Sequence, residues 1–268
     1  MIRILPRVLL SAVATLAASL LVLALVLPVG TMVSNAGIAG VLRALADREV
    51  LQSLLLTVTA ATIATALAVA GGTPLAYLLA RTPFRGRAVV EALLELPLVI
   101  PHPVIGMALL LAMGRNSPLG TMLAPNTYSG ALTTSIVNSP LGIVIAMLVV
   151  SAPLYVFGAR EAIARVDARL ESVARTLGDD RWTAVYRVTL PIARNGMVSS
   201  ATAMWARCTS EFGAIVLVAY HPRVASVLAY DRYVTYGLRD ALPVAAALVC
   251  VALGVLLLVR LARRAERA

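Results

Sequence analysis

Two charged side chains, Arg207 and Glu211, lie inside one of the apolar stretches of the chain. A separation of four positions places both on one face of a helix. A charge at the centre of a bilayer costs about 2.5–3.5 kcal/mol on insertion scales, so such residues usually face a polar cavity and mark a solute pathway. The pair therefore predicts a translocation pathway. The alternative is a structural pair that neutralises itself or stabilises a dimer interface.

The other residue types that could bind a metal or act as nucleophiles are scattered. His102 lies between two prolines, His221 is distant from it, and Cys208 and Cys250 fall in apolar stretches. These positions predict neither a metal-ligand cluster nor a disulfide framework. No serine–histidine pair falls at matching depth in neighbouring stretches, which argues against a membrane-embedded protease.

All 23 basic residues are arginine. A phosphate-binding loop ends in Gly-Lys-Ser or Gly-Lys-Thr, and its lysine contacts the nucleotide phosphates. A chain without lysine therefore has no such loop. We expect no cofactor in this chain, and ATP-driven work would require a separate polypeptide that binds ATP and Mg²⁺.

The elements that must position these residues are long apolar stretches. Of the 268 residues, 60% are hydrophobic and 13% charged, whereas soluble domains carry about 25% charged residues. A helix needs roughly 20 apolar residues to cross a bilayer. Six stretches qualify, at residues 8–33, 51–80, 89–113, 139–158, 197–220 and 241–261. They predict an all-α, polytopic membrane protein with six transmembrane helices, in a single transmembrane domain spanning residues 1–268.

The first of these stretches, 8–33, exceeds the 7–15 apolar residues of a signal-peptide core, which favours a retained helix over a cleaved signal. The arginines then set the orientation. Sixteen fall on the side of the N-terminus, six fall on the other side, and Arg207 lies within a stretch. Basic residues concentrate inside, so both termini are predicted to be cytoplasmic. Because the arginines of this +10 chain flank apolar stretches, they indicate a lipid bilayer and not nucleic acid.

One cytoplasmic segment, 159–196, is long enough to carry structure of its own. It contains apolar residues at the spacing of a helix face, namely Val166, Leu170, Val173 and Leu177. Gly178 is a helix stop, and Asp179 and Asp180 offer an N-cap for a second helix. The pattern predicts helix, tight turn, helix, with an apolar face that a partner protein would cover. The alternative is a helix lying on anionic headgroups.

The same segment resembles the coupling loop of binding-protein-dependent ABC importer permeases. In that family Glu-Ala-Ala is followed by three residues, a glycine, nine residues and Ile-x-Leu-Pro; here Gly178 and Val188-Thr189-Leu190-Pro191 keep the spacing. The Glu-Ala-Ala part differs, because Ser172 stands where the family has glutamate and Glu171 lies one position earlier. The resemblance implies that a separate ATPase docks on Glu171, Ser172, Ala174, Leu177, Gly178, Asp179, Asp180, Trp182, Leu190 and Pro191. We call residues 159–196 the coupling loop.

Two further segments narrow the resemblance. The Ala-Arg and Glu-Phe-Gly-Ala of residues 205–214 are similar to a stretch shared by molybdate, tungstate and sulfate permeases, and residues 95–103 resemble archaeal-type tungstate/molybdate permeases. The resemblance implies the type I ABC importer permease fold, a homodimer in the cell membrane, two ATPase subunits and an extracytoplasmic oxyanion-binding protein. Sulfate or thiosulfate is the rival substrate, and a secondary transporter relying on Arg207 and Glu211 is the rival class. The candidate pathway residues are Arg207, Ser210, Glu211, Thr133 and Thr134.

Overall fold

The computed structural model describes residues 5–114, 117 and 136–265, and in that part of the chain every regular element is helical. This confirms the all-α prediction. The helices are α1 (Leu5–Ala46), α2 (Arg48–Arg81), α3 (Arg87–Val99), α4 (His102–Met113), α5 (Pro140–Ala164), α6 (Ala168–Thr176), α7 (Arg181–Ala184), α8 (Leu190–Thr209), α9 (Ile215–Val218), α10 (Ala225–Tyr236) and α11 (Leu238–Ala265).

Within the described residues, four helices are long and apolar enough to cross a membrane: α1, α2, α5 and α11. They correspond to the predicted spans 8–33, 51–80, 139–158 and 241–261, with Ser139 as the N-cap of α5. Helix α1 continues well past the predicted end, although Gly37 breaks its regular geometry at φ +65° and ψ 157°.

The other two predicted spans are not single helices. Span 89–113 consists of α3 and α4, bent by 115° at the break between them. Pro101 lacks an N–H and holds an extended ψ of 133° immediately before α4, so the first helix cannot continue through it. Span 197–220 is interrupted by residues 210–214, which are not helical. The count of six is therefore not confirmed; the described chain has four spans, or five if the bent pair is one.

The core forms where α2, α5 and α8 pack together. The buried face of α2 is rich in small side chains, namely Ala60, Ala61, Ala64, Ala68, Gly72 and Ala76. A Cβ on Gly196 of α8 would lie 2.5 Å from the Cβ of Ala162 in α5, and one on Gly158 would lie 2.1 Å from Ser200 Oγ. Lipid supplies no hydrophobic drive between helices, so close approach through small residues stabilises the bundle.

A second, smaller cluster joins the end of α1 and the start of α2 to α10 and α11, at the end of the bundle opposite the coupling loop. Ion pairs reinforce it. Arg232 of α10 lies 2.6 Å from the Asp47 carboxylate and 3.2 Å from that of Glu49, and Arg223 lies 3.1 Å from both Glu49 and Asp231. These contacts fix the beginning of α2 against α10.

Candidate functional site

The coupling loop folds as the predicted helix, turn and helix. Asp167 caps α6 by accepting a hydrogen bond from the Arg169 N–H at 2.9 Å. Gly178 ends the helix at φ +108°, in the left-handed region that favours glycine. The Asp179 N–H then reaches back to the Ala174 carbonyl at 3.2 Å. Local sequence signals were sufficient to predict this turn.

The second half of the loop contains one element that the pattern does not predict. Asp180 caps α7 by accepting from the Trp182 N–H at 3.1 Å, as expected for one of the two aspartates. A π-helical turn, Val185–Thr189, then joins α7 to α8. Pro191 lies in the first turn of α8, where its missing N–H costs nothing.

Six large apolar side chains of the loop are exposed. One of them, Ile192, belongs to α8, and the other five lie between positions 170 and 186. The exposed fractions are 43% for Leu170, 55% for Val173, 83% for Leu177, 51% for Trp182 and 68% for Tyr186. We call these five residues the coupling face. Val166, predicted on the same face, is instead buried at 5% at the base of the loop. An exposed apolar patch of this kind marks an interaction surface.

Glu171 points away from the coupling face and into the chain. Its Oε1 accepts hydrogen bonds from Thr189 Oγ1 at 2.6 Å and from Arg81 Nε at 3.2 Å, and its Oε2 accepts from Tyr77 Oη at 3.0 Å. Its side chain is 14% exposed. We call Tyr77, Arg81, Glu171 and Thr189 the Glu171 cluster. This cluster joins α6 to the end of α2 and to the π-helical turn.

Further contacts join α7 to the end of α2. The rings of Tyr77 and Trp182 lie 6.0 Å apart between centroids, and the Arg181 guanidinium lies 5.9 Å from the Tyr77 ring centroid. Arg187 forms an ion pair with Asp179 at 3.0 Å.

The predicted docking residues divide into two sets by their burial. Those that are at least half-buried are Glu171, Ala174, Asp179 and Leu190, and those that are exposed are Ser172, Leu177, Gly178, Asp180, Trp182 and Pro191.

The predicted pathway pair meets a third residue. Arg207 Nη2 lies 3.0 Å from Glu211 Oε2, and His102 Nδ1 lies 3.1 Å from the same oxygen. Arg207 Nη2 also lies 2.7 Å from each ring nitrogen of His102. We call His102, Arg207 and Glu211 the charged junction. Glu211 falls just beyond the end of α8 and not on its face, yet the ion pair forms because the chain turns there.

The charged junction lies where the two interrupted spans meet. A Cβ on Gly213 would lie 2.9 Å from His102 Cβ, and one on Gly106 would lie 2.9 Å from the Ala214 carbonyl oxygen. Glu211 Oε1 accepts from the Ala214 N–H at 2.9 Å, which holds the carboxylate in place. Sequence reasoning missed the contact of His102 with this pair, since its partners lie more than a hundred positions away. The prolines on either side of it were the available signal.

The remaining candidate pathway residues are less informative. Ser210 is exposed, and its hydroxyl donates to the Arg207 carbonyl at 3.0 Å. Thr133 and Thr134 lie outside the described residues. Their assignment to the pathway stays a prediction.

Comparisons with known proteins also indicate a transport permease. A family model described as the binding-protein-dependent transport system inner membrane component matches residues 72–268. The probable molybdenum ABC transporter permease protein of Haloferax volcanii is 42% identical, over 91% of this chain and 87% of that protein. The molybdate/tungstate transport system permease protein of Thermococcus kodakarensis is also 42% identical, over 79% and 77%.

Solved structures share the fold. A bacterial ABC transporter involved in the import of the acidic polysaccharide alginate matches with a TM-score of 0.71 at 17% identity, over 94% of each chain, and a second structure of an alginate transporter includes its periplasmic protein. The MetNI methionine ABC transporter matches with a TM-score of 0.61 at 16% identity, over 81% of this chain and 94% of that one. The chain therefore belongs to the family of binding-protein-dependent transport system inner membrane components, as a multi-pass membrane permease with the fold of the type I ABC importers.

Proposed function

We propose that this chain forms the transmembrane pore of an ATP-driven importer for molybdate or tungstate, and that its coupling face carries the ATPase. The proposal rests on the coupling face, because its five large apolar side chains are exposed and no other described part of the chain covers them. The absence of lysine requires the ATPase to be a separate polypeptide. The names of the relatives that are 42% identical support the substrate.

The assembly that we propose is a homodimer of this chain, with two ATPase subunits and an extracytoplasmic oxyanion-binding protein. ATP and Mg²⁺ bind to the ATPase subunits, whose closure draws the two coupling loops together. The Glu171 cluster passes this movement to α2, since two of its three hydrogen bonds, those from Tyr77 and Arg81, join α6 to the end of that helix. The pore then opens outward to accept the anion, and on return opens inward to release it.

Assembly tests the role of the coupling face. In Leu177→Asp, a charge replaces the most exposed side chain of the coupling face, so the ATPase should no longer copurify with the permease. Glu161→Ala is the control, because Glu161 is an exposed residue of the same loop outside the coupling face. Unchanged copurification in Leu177→Asp would contradict the docking role and favour a loop that lies on lipid headgroups.

Reconstitution tests the transport function. Liposomes that contain the permease, the ATPase and the binding protein should accumulate molybdate or tungstate only when ATP is supplied. Transport by the permease alone at the full rate would instead indicate a secondary transporter. Accumulation of sulfate or thiosulfate without molybdate or tungstate would retain the importer and overturn the proposed substrate.

A further inference from the structure

We propose that Arg207 and His102 form a transient binding site for the oxyanion, and that Glu211 is an internal counter-anion that the substrate displaces. The identity of the anion rests on the proposed function. The site itself rests on the geometry of the charged junction, which joins a cationic group, an imidazole and a buried carboxylate at the meeting point of two interrupted helices.

The Glu211 carboxylate is held unequally at its two oxygens. The side chain is wholly buried, and Oε1 accepts a regular hydrogen bond from the Ala214 N–H. Oε2 lies within ion-pair distance of Arg207 and His102, but in the described residues it has no hydrogen bond of good geometry. The ion pair at Oε2 is therefore one that a better acceptor can replace.

Arg207 has donors left for such an acceptor. Among the described residues, its contacts with His102 and Glu211 all run through Nη2. The Nε and Nη1 donors face no partner there, and a guanidinium binds oxyanions through two parallel N–H bonds. The side chains of Arg207 and His102 are 26% and 34% exposed, so an anion can reach both while Glu211 stays buried.

The position of the charged junction favours an anion as well. His102 is the first residue of α4, a helix of 12 residues. A helix N-terminus is the positive end of the helix dipole, which favours an anion. Pro103 has no N–H here, and the Val104 and Ile105 N–H groups donate to the Pro101 carbonyl at 2.9 and 3.3 Å, so the dipole and not a set of free N–H groups provides the attraction. Helices interrupted at membrane depth form the binding sites of many transporters, because the freed backbone groups line the cavity. Here the break before α4 and the non-helical residues 210–214 lie in direct contact.

Competition between Glu211 and the anion for Arg207 would give the moderate affinity that a transport site requires. A transport site must bind its solute strongly enough to admit it and weakly enough to release it. While Glu211 occupies Arg207, an incoming dianion gains only the difference between two ion pairs. The carboxylate takes the guanidinium back when the anion leaves, so the charge of Arg207 is neutralised in both states.

Anion binding to variants of the complex tests this exchange. The permease–ATPase complex without the binding protein is equilibrated with tungstate, and the retained tungsten is measured by mass spectrometry. Glu211→Gln keeps an acceptor for the Ala214 N–H and removes the competing charge, so tungstate should bind about tenfold more tightly, equivalent to ~1.4 kcal/mol. Arg207→Lys and His102→Gln should each weaken binding about tenfold or more.

A matched control is Glu91→Gln, because Glu91 also pairs with arginine, at 3.0 Å from Arg87 and 3.1 Å from Arg160, away from the charged junction. Its tungstate binding should equal that of the wild type. Wild-type affinity in folded Arg207→Lys and His102→Gln would overturn the proposal and leave the charged junction as a structural clamp.

Two results separate this inference from the proposed function. If the wild-type complex with its binding protein fails to take up tungstate or molybdate, the proposed function fails. If it transports them and the variants at the charged junction match it in both binding and uptake, only the transient site fails. Should Glu211→Gln not yield folded complex, the Arg207→Lys and His102→Gln affinities decide the question.

Discussion

Glu171→Ala would remove the centre of the Glu171 cluster and leave the coupling face unchanged. The substitution deletes three hydrogen bonds, to Thr189 Oγ1 at 2.6 Å, Tyr77 Oη at 3.0 Å and Arg81 Nε at 3.2 Å. Arg81 keeps its hydrogen bond to the Val166 carbonyl at 2.6 Å, so its guanidinium is not left without an acceptor. The direct consequence is a looser attachment of α6 to α2.

The expected cost follows from these contacts. A hydrogen bond to a charged group contributes about 1.5–3 kcal/mol. Three such bonds total about 4.5 kcal/mol at the lower end of that range. The Glu171 side chain is 14% exposed, and water entering the space left by the substitution would satisfy part of the lost hydrogen bonding, so a smaller net cost of about 3 kcal/mol is expected. The free energy of local opening of α6 should fall by this amount, which is roughly a hundredfold faster amide exchange.

Hydrogen–deuterium exchange of peptides from α6 measures this change. Glu161→Ala is the control, because its ion pair with Arg165 is exposed and should alter exchange by no more than about twofold. Glu171→Gln, which keeps one acceptor and loses the charge, should fall between the two. Exchange in Glu171→Ala within about threefold of the wild type would refute the assignment of the cluster as the attachment of α6.

The same variant should separate ATPase binding from transport. Since the coupling face is unaltered, the ATPase should still copurify and hydrolyse ATP. Uptake per ATP hydrolysed should fall, because α6 no longer moves α2 with it. Loss of copurification would instead show that Glu171 is needed for docking itself.

Three further predictions concern single positions. Gly178→Ala should destabilise the turn by about 1–2 kcal/mol through its φ of +108°, since no atom crowds the added methyl group; exchange of the turn amides measures it. Gly196→Val should cost ~3 kcal/mol or more by forcing α8 away from Ala162, seen as a lower melting temperature in detergent. The hydrogen bond from Arg232 lowers the pKa of Asp47 below its ordinary value of 3.8, so the stability it provides should persist above that pH and be lost as the pH falls below it. Asp47→Asn should abolish that acid-side loss in melting curves.

The coupling loop shows which structural features the local sequence can predict. The apolar spacing before Gly178, the glycine itself and the cap at Asp180 each act within about four residues, so the helix, the turn and the second helix could be read from them. The π-helical turn could not, because residues 185–189 carry no signal that separates it from an α-helix. Its last residue, Thr189, is buried and donates to the Glu171 carboxylate, a contact between separate elements that no local pattern contains.

Glu171 and His102 show what the local sequence cannot predict, namely contacts between residues far apart in the chain. The family resemblance placed Glu171 among the residues that dock an ATPase, whereas in the structure its carboxylate is satisfied by Tyr77 and Arg81, about ninety positions away. His102 was read as an isolated residue, yet it completes the charged junction with Arg207 and Glu211. Each contact depends on which helices become neighbours.

The sequence by itself determined that this is a polytopic membrane protein without a phosphate-binding loop. The length of the apolar stretches, the placement of the arginines and the absence of lysine follow from composition and order alone. It also determined the local shape of the coupling loop and identified the charged pair Arg207 and Glu211. Only the tertiary structure decided that two of the six apolar stretches are interrupted, that the interruptions meet, and that His102 joins the pair there. The physical reason is that a buried charge requires partners, and which partners are within reach is fixed by how distant helices pack.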